Sequence, residues 1–219
     1  MGLMKRWNGA KWVDCTFKKY DGKSWVSATV KRYNGSSWVN ISEQRYVDTW
    51  NTTWTRSYGQ NGKVKPDGLG GKSRLYQGKI HKNDWVTYAY GIQKSMAGFD
   101  YASIRSKLKD SKIEKVEIYL RNQTFWYAAG GKAQIGQHNT ASAPATYAHT
   151  KKGIKTQIFN GIEEGRWIEV PKSFGEDLRD GYAKGFTLYT TADGLSYYGG
   201  WYGKGNGNKD PKIRITYRK

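Results

Sequence analysis

From Lys5 to Ser42 the polar and apolar positions repeat every 13 residues. Lys5-Arg6-Trp7-Asn8-Gly9 leads to Trp12-Val13, Lys18-Lys19-Tyr20-Asp21-Gly22 to Trp25-Val26, and Lys31-Arg32-Tyr33-Asn34-Gly35 to Trp38-Val39. Small or apolar residues recur at Cys15, Ala28 and Ile41. A fourth copy opens with Gln44-Arg45-Tyr46 and fades, because Asp48 stands where the glycine would be. Asn-Gly and Asp-Gly favour a tight hairpin turn with positive φ at both central residues. The flanks are β-formers, an aromatic before the turn and Trp-Val after it. The pattern therefore predicts three small β-hairpins or β-arches joined as a meander. Units this small cannot bury a core of their own and need neighbours to stack on. Trp7, Trp12, Tyr20, Trp25, Tyr33 and Trp38 are accordingly the expected assembly residues. Other subunits are the favoured cover for them; the alternative is a hairpin subdomain folded against its own chain.

Where the repeat decays, near residues 43–50, a second domain is expected to begin, giving a repeat region over 1–45 and a β domain over 46–219. A run rich in Trp, Thr and Tyr over Trp50–Gly59 leads to a glycine-rich loop over Gln60–Lys72, and strands are expected at Leu75–Gly78 and Trp85–Gly91. Lys112–Arg121 alternates most clearly, with Val116, Ile118 and Leu120 on one face and Glu117, Tyr119 and Arg121 on the solvent side. Further strands are expected at Ala133–His138, Ile154–Phe159, Trp167–Val170 (stopped by Pro171), Gly185–Thr190, Tyr197–Gly203 and Lys212–Arg218. Phe99–Ile104 reads as a short strand passing into a turn or one helical turn, and Ser173–Gly181 as a short helix or tight loop. Eight to ten strands with long connections predict an all-β protein, with a two-sheet sandwich of jelly-roll type after the hairpin repeats.

Composition narrows the partners. Among 219 residues, 37 Lys and Arg against 18 Asp and Glu leave a net charge of +19. Nine basic and three acidic residues lie in 1–45 and 28 against 15 in the rest, so the charge is not a basic tail. Such a charge favours polyanions: phosphate-bearing cell-wall polymers such as teichoic acid, nucleic acid, or an anionic membrane surface. No segment reaches the roughly 18 apolar residues of a membrane helix. The start of the chain carries no apolar signal segment, which predicts a protein kept in the cytosol where it is made or released by assembly or lysis. Cys15 is the single cysteine. It cannot form a disulfide within the chain, and its alignment with Ala28 and Ile41 predicts a small buried apolar residue.

Candidate chemistry is sparse. His81, His138 and His149 have no metal-ligand spacing, and no cofactor is expected. No serine stands in Gly-x-Ser-x-Gly, and Gly70-Gly71-Lys72-Ser73 lacks the first glycine of a phosphate loop. Glu163-Glu164 and Glu176-Asp177 are adjacent pairs whose side chains would point apart on a strand, and Asp100 and Glu169 stand alone. The chain is expected not to be an enzyme. Rings are the stronger signal. Phe125-Trp126-Tyr127 and Tyr197-Tyr198-Gly199-Gly200-Trp201-Tyr202 place large rings side by side, so some should face away from the core. Trp126, Tyr127, Tyr197, Tyr198, Trp201 and Tyr202 are the candidate carbohydrate-binding residues, since exposed rings stack on sugars. The competing reading puts those rings under loops or at a subunit contact.

The order of the pieces from about residue 50 onward resembles the DNRLRE-type β-sandwich, a jelly-roll module of bacterial surface and phage proteins. The likeness rests on Phe99-Asp100-Tyr101-Ala102-Ser103-Ile104, the Lys112–Arg121 strand, Trp167-Ile168-Glu169-Val170, Gly185-Phe186-Thr187-Leu188 and Pro211–Tyr217; the segment that gives that family its name is absent. The Trp/Tyr-Asn-Gly-x-x-Trp-Val repeats are similar to those of virion proteins from phages of Gram-positive bacteria. Together these resemblances imply a non-enzymatic tail, baseplate or fibre component located in the virion. They imply a homo-oligomer, such as a trimer, that touches other virion proteins and host cell-wall polysaccharide or teichoic acid. A cell-wall carbohydrate-binding module is the alternative. A nucleic-acid-binding protein is a third reading, which Lys31-Arg32-Tyr33 supports only weakly in the absence of any recognised nucleic-acid motif.

Overall fold

The computed structural model describes residues 5–15, 17–40, 44–67, 70–79, 91–126 and 130–219. The chain divides into two compact units, one of residues 1–46 with 218–219, the other of residues 47–217.

In the first unit each repeat is a separate two-stranded antiparallel hairpin: β1 (Lys5–Trp7) with β2 (Trp12–Asp14), β3 (Lys18–Tyr20) with β4 (Trp25–Ser27), and β5 (Lys31–Tyr33) with β6 (Trp38–Asn40). No strand pairs from one repeat to the next among the described residues, so the expected meander is not formed. The turn also differs from the expected two-residue type. Trp7 faces Trp12, Tyr20 faces Trp25 and Tyr33 faces Trp38, leaving four-residue loops. Only the glycines take positive φ there: +95° at Gly9, +98° at Gly22 and +103° at Gly35. The preceding Asn or Asp instead turns its side chain into the loop. Asn8 Oδ1 accepts from the amides of Ala10 and Lys11 at 3.0 and 2.9 Å, and Asp21 and Asn34 repeat the arrangement. A side-chain oxygen thus replaces a backbone acceptor, which makes the wider loop stable. These amides hold the Asp21 carboxyl below its ordinary range, chiefly through Ser24 and then Lys23. Cys15 is half-buried rather than enclosed.

The second unit is all-β with antiparallel pairing and two short helices. Its strands are β7 (Arg45–Tyr58), β8 (Arg74–Lys79), β9 (Ile92–Phe99), β10 (Lys112–Phe125), β11 (Gly131–His138), β12 (Lys151–Phe159), β13 (Gly165–Val170), β14 (Gly185–Leu188), β15 (Gly199–Tyr202) and β16 (Lys212–Arg218). They run in the order β12-β11-β14-β9-β7-β16-β10-β15-β8, with β13 added on β10. β8 pairs again with β9 through Gly78–Gln93 and Lys79–Ile92, so six of these strands close on themselves. One core runs between the layers, from Phe99, Ile135, Phe186 and Leu188 to Val116, Ile118, Leu120, Ile168 and Trp201. The expected strand over Trp85–Tyr90 lies outside the described residues.

Two open local readings resolve as helices and one expectation changes. Residues from Tyr101 are helix α1 (Tyr101–Leu108), not a continuation of the strand, because Asp100 accepts from the Ser103 amide at 3.1 Å and caps it. Residues 172–180 resolve as helix α2 (Lys172–Asp180), ended by Gly181 at φ +89°. Glu117, expected to face solvent, is buried between Lys115 at 2.8 Å and Arg214 at 2.9 Å.

β10 changes partner along its length: Val116–Arg121 pair with β13, and Asn122–Phe125 with β15. The changeover is held by Asn122, which is fully buried. Its Nδ2 donates to the carbonyls of Thr124 and Gly200, both at 3.1 Å, while its backbone binds Glu163 and Glu164. Asn122→Ala would take a donor from the buried Gly200 carbonyl and from the partly buried Thr124 carbonyl, offset in part by removal of the unpartnered Asn122 Oδ1. We expect a loss of about 1–3 kcal/mol in unfolding free energy, measured by urea denaturation; a loss below about 0.5 kcal/mol, the scale of an ordinary surface change, would show that the changeover does not depend on this side chain.

Candidate functional site

The hairpins present a repeated ring pair. The two rings of each pair lie opposite each other across the hairpin, with centroids 5.8, 5.7 and 5.6 Å apart from first repeat to third. Such edge and tilted contacts are favourable, but they leave most of each ring open: the six rings are between 54 and 67% exposed. Their spacing follows from the sequence, since each loop fixes the register and each register places one aromatic opposite one tryptophan.

The rings expected on the surface of the second unit are divided. Trp126 is 38% exposed. Tyr127 lies outside the described residues. Tyr197 and Tyr198 are half-buried; Tyr197 ends a 3-10 turn (Leu195–Tyr197) rather than sitting on a strand. Trp201 is a core ring with no exposure, packed against Phe125 at 5.4 Å and Phe159 at 5.9 Å. Tyr202 is also buried, with its hydroxyl between Glu163 and Lys209. Neighbouring rings point to opposite faces as expected, but β15 lies between β10 and β8 and is buried on both faces, so neither meets solvent.

The acidic candidates hold structure together. Glu163 binds Arg121 at 3.1 Å and Lys209 at 3.2 Å, and Glu164 binds Arg166 and the Asn160 amide. Asp177 accepts from Gln137 at 2.8 Å and Lys151 at 2.6 Å. Asp100 caps α1, and Glu169 lies 3.7 Å from Lys115. Among the described residues no three His, Cys, Asp or Glu side chains are grouped to hold a metal ion. His81 lies outside the described residues. An open cleft beside α1 and α2 is lined by Tyr101, Arg105, Lys109 and Arg179 together with Asp110 and Asp180. Arg179 is already engaged there, with Asp180 at 2.8 Å and the Ser111 carbonyl at 2.8 Å.

A cluster that the sequence does not signal joins four distant segments. Tyr58, Tyr147, His149 and Tyr189 form a chain of ring contacts 5.6 to 6.0 Å apart. Lys94 lies over Tyr147 and Tyr189, and Lys152 over Tyr189. No local spacing could have revealed it, because strand pairing alone brings residues 58, 94, 147–152 and 189 together.

His138 is fully buried, with Nε2 donating to the Ala97 carbonyl at 3.0 Å and Nδ1 accepting from the Thr140 amide at 3.1 Å. Burial pushes it down to about 4; the Ala97 bond opposes this shift and Lys184 adds to it. An unfolded histidine takes its proton near pH 6.5, so below that pH the unfolded chain binds more protons and gains. Stability should be full above about pH 6.5 and fall by about 3 kcal/mol as pH drops to 4. Urea denaturation at a series of pH values checks this. His138→Gln should flatten the slope over that window, and an unchanged slope would place the titrating group elsewhere.

No known protein family and no curated protein matches this chain.

Proposed function

We propose that the chain is a non-enzymatic structural protein of a phage particle with a Gram-positive host. In this reading the hairpin repeats mount the protein, as a homo-oligomer or against another virion protein. The second unit, read as a jelly-roll sandwich of DNRLRE type, contacts anionic cell-wall polysaccharide or teichoic acid. The observation that carries it is the ring pair repeated three times in one register with most of each ring exposed. Covering one such ring removes on the order of 100 Å² of apolar surface from water, about 2.5 kcal/mol before the costs of association. A repeated, evenly spaced set of this kind suits a symmetric or stacked partner. The net charge of +19 suits a polyanionic one.

The test is the mass in solution, by light scattering after size exclusion, of the wild type and of the Trp12→Ala, Trp25→Ala, Trp38→Ala triple variant. The wild type should exceed the 25.0 kDa of one chain and the variant should fall to it, with the thermal transition of the second unit unchanged. A variant that keeps the wild-type mass refutes assembly through these rings. A monomeric wild type moves the contact to another virion protein, and the triple variant should then fail to enter particles. Capture on purified Gram-positive cell walls, lost at about 1 M salt where screening is nearly complete, tests the host contact separately.

A further inference from the structure

We propose that Lys94, Lys152 and His149, set around Tyr147 and Tyr189, form a binding site for a base-free polyanion: a chain of polyol or sugar units joined by phosphodiesters. This deepens the host-contact reading above and rests on it for the natural source of the polymer.

The site is built rather than incidental. Lys94 projects from β9 and Lys152 from β12, while Tyr189 directly follows β14. Tyr147 and His149 lie on the connection before β12, which is tied down at several points. The Tyr147 amide donates to the Gly62 carbonyl at 3.1 Å, Thr146 bridges to Lys63, and the Tyr58 hydroxyl donates to the Pro144 carbonyl at 2.9 Å. His149 stacks on Tyr189 at 6.0 Å and 26°. Lys94 Nζ stands 5.2 Å from the Tyr147 centroid and 5.5 Å from that of Tyr189, and Lys152 Nζ stands 5.3 Å from Tyr189. The two ammonium groups are therefore no more than about 11 Å apart, because both lie within 5.5 Å of one ring centre.

The charge at this place is uncompensated. Among the described residues neither Lys94 nor Lys152 has a carboxylate within ion-pair distance, whereas the neighbouring Lys151 is matched to Asp177. Lys152 lies in the irregular stretch of β12 between the Gln137–Lys151 and Ile135–Lys155 pairs, next to Gly153 at φ +58°. The protonated forms feel the repulsion. Lys94 is lowered first by burial and then by Lys152, and His149 by burial, then Lys152, then Lys94. An anion entering here offsets the repulsion among these cations. Charge-assisted bonds from two ammonium groups and an imidazole suit phosphate oxygens.

The rings decide between classes of polyanion. Single-stranded nucleic acid binds by laying bases on open ring faces. Here His149 stacks on Tyr189 at 26°, Tyr147 meets both rings at tilted angles of 40° and 52°, and ammonium groups lie over Tyr147 and Tyr189. The ring faces between His149 and Tyr189 and beneath the ammonium groups are taken, which disfavours a base there, and a phosphate can meet the cations from outside.

The experiment titrates the full chain with a synthetic poly(glycerol phosphate) oligomer by calorimetry, and with an oligothymidylate of equal charge. Lys94→Gln with Lys152→Gln should weaken oligomer binding about tenfold or more. Lys112→Gln with Lys172→Gln, an equal loss of charge elsewhere, should change it by no more than about twofold. Lys94→Arg with Lys152→Arg should retain binding, which guards against a trivial folding defect. The His149 ring-proton titration followed by NMR should move to higher pH in saturating oligomer. Equal affinities for the two glutamine pairs, or a His149 midpoint that stays in place, overturns the site. Oligothymidylate that binds as tightly through the same lysines overturns the base-free assignment. Purified walls that capture the Lys94/Lys152 variant as well as wild type refute this site and leave the host-contact reading standing. Oligomer binding here without any capture by walls does the reverse.

Discussion

The second unit depends on one long strand serving two partners. β10 pairs with β13 up to Arg121 and with β15 from Asn122, with an irregularity in register between Asn122 and Thr124. A register shift leaves backbone groups without ladder partners, and in a buried place each unmet group costs on the order of 1–3 kcal/mol. Asn122 meets this need because its amide can donate twice, to Thr124 and Gly200, while its own backbone remains bonded to Glu163 and Glu164. Once β10 is fixed, β15 and β8 follow from it, and β8 returns to β9 to complete the closed run of strands.

The second constraint is how so many rings fit between strands. Several lie directly on glycine. A Cβ at Gly98 would come within 2.2 Å of Trp54 Nε1, one at Gly185 within 2.5 Å of His138 Nε2, and one at Gly199 within 2.6 Å of the Phe125 ring. Glycine in a strand is usually a weakness because it has nothing to pack. Here the missing side chain is the space a neighbouring ring fills. At these positions glycine and aromatic residues express one packing arrangement, and substitution there would displace rings rather than merely stiffen the backbone.

This arrangement explains which features were legible in the sequence. The three hairpins were, because a 13-residue period with fixed turn residues leaves few alternatives. The closing strand was too, since Ile213, Ile215 and Tyr217 alternate cleanly and are all buried. β9 was not. Its sequence Ile-Gln-Lys-Ser-Met-Ala-Gly-Phe puts Gln93 and Ser95 where an apolar pattern was sought. Both are buried, with Gln93 accepting from Lys65 and Ser95 bonding Ser57 and the Tyr76 carbonyl. Trp201 and Tyr202 misled for the opposite reason. Alternation does place them on opposite faces, but both faces of β15 are covered, which no local pattern states. The Lys94–Tyr147–Tyr189 cluster depends wholly on pairing between distant strands.

Rings serve two different purposes in the two units, and the cations tell them apart. In the second unit several partly exposed rings have a lysine above them, although Tyr182 and Trp126 are left open: Tyr101 has Lys184 at 4.7 Å, Tyr197 has Lys132 at 5.1 Å, and Tyr189 has Lys94 and Lys152. Such capping shields the ring from water and keeps the surface cationic, so this unit presents charge to its surroundings. Among the described side chains of the hairpins no cation covers a ring, although Lys18, Lys19, Lys31 and Arg32 are close in sequence. Their rings touch only each other and leave apolar area open in three equal portions. Exposed rings of this kind add little to a free hairpin beyond their mutual contact and gain more when covered. The hairpins combine open rings with the denser positive charge, nine basic against three acidic residues in 1–45, whereas the larger unit places part of its charge over its rings.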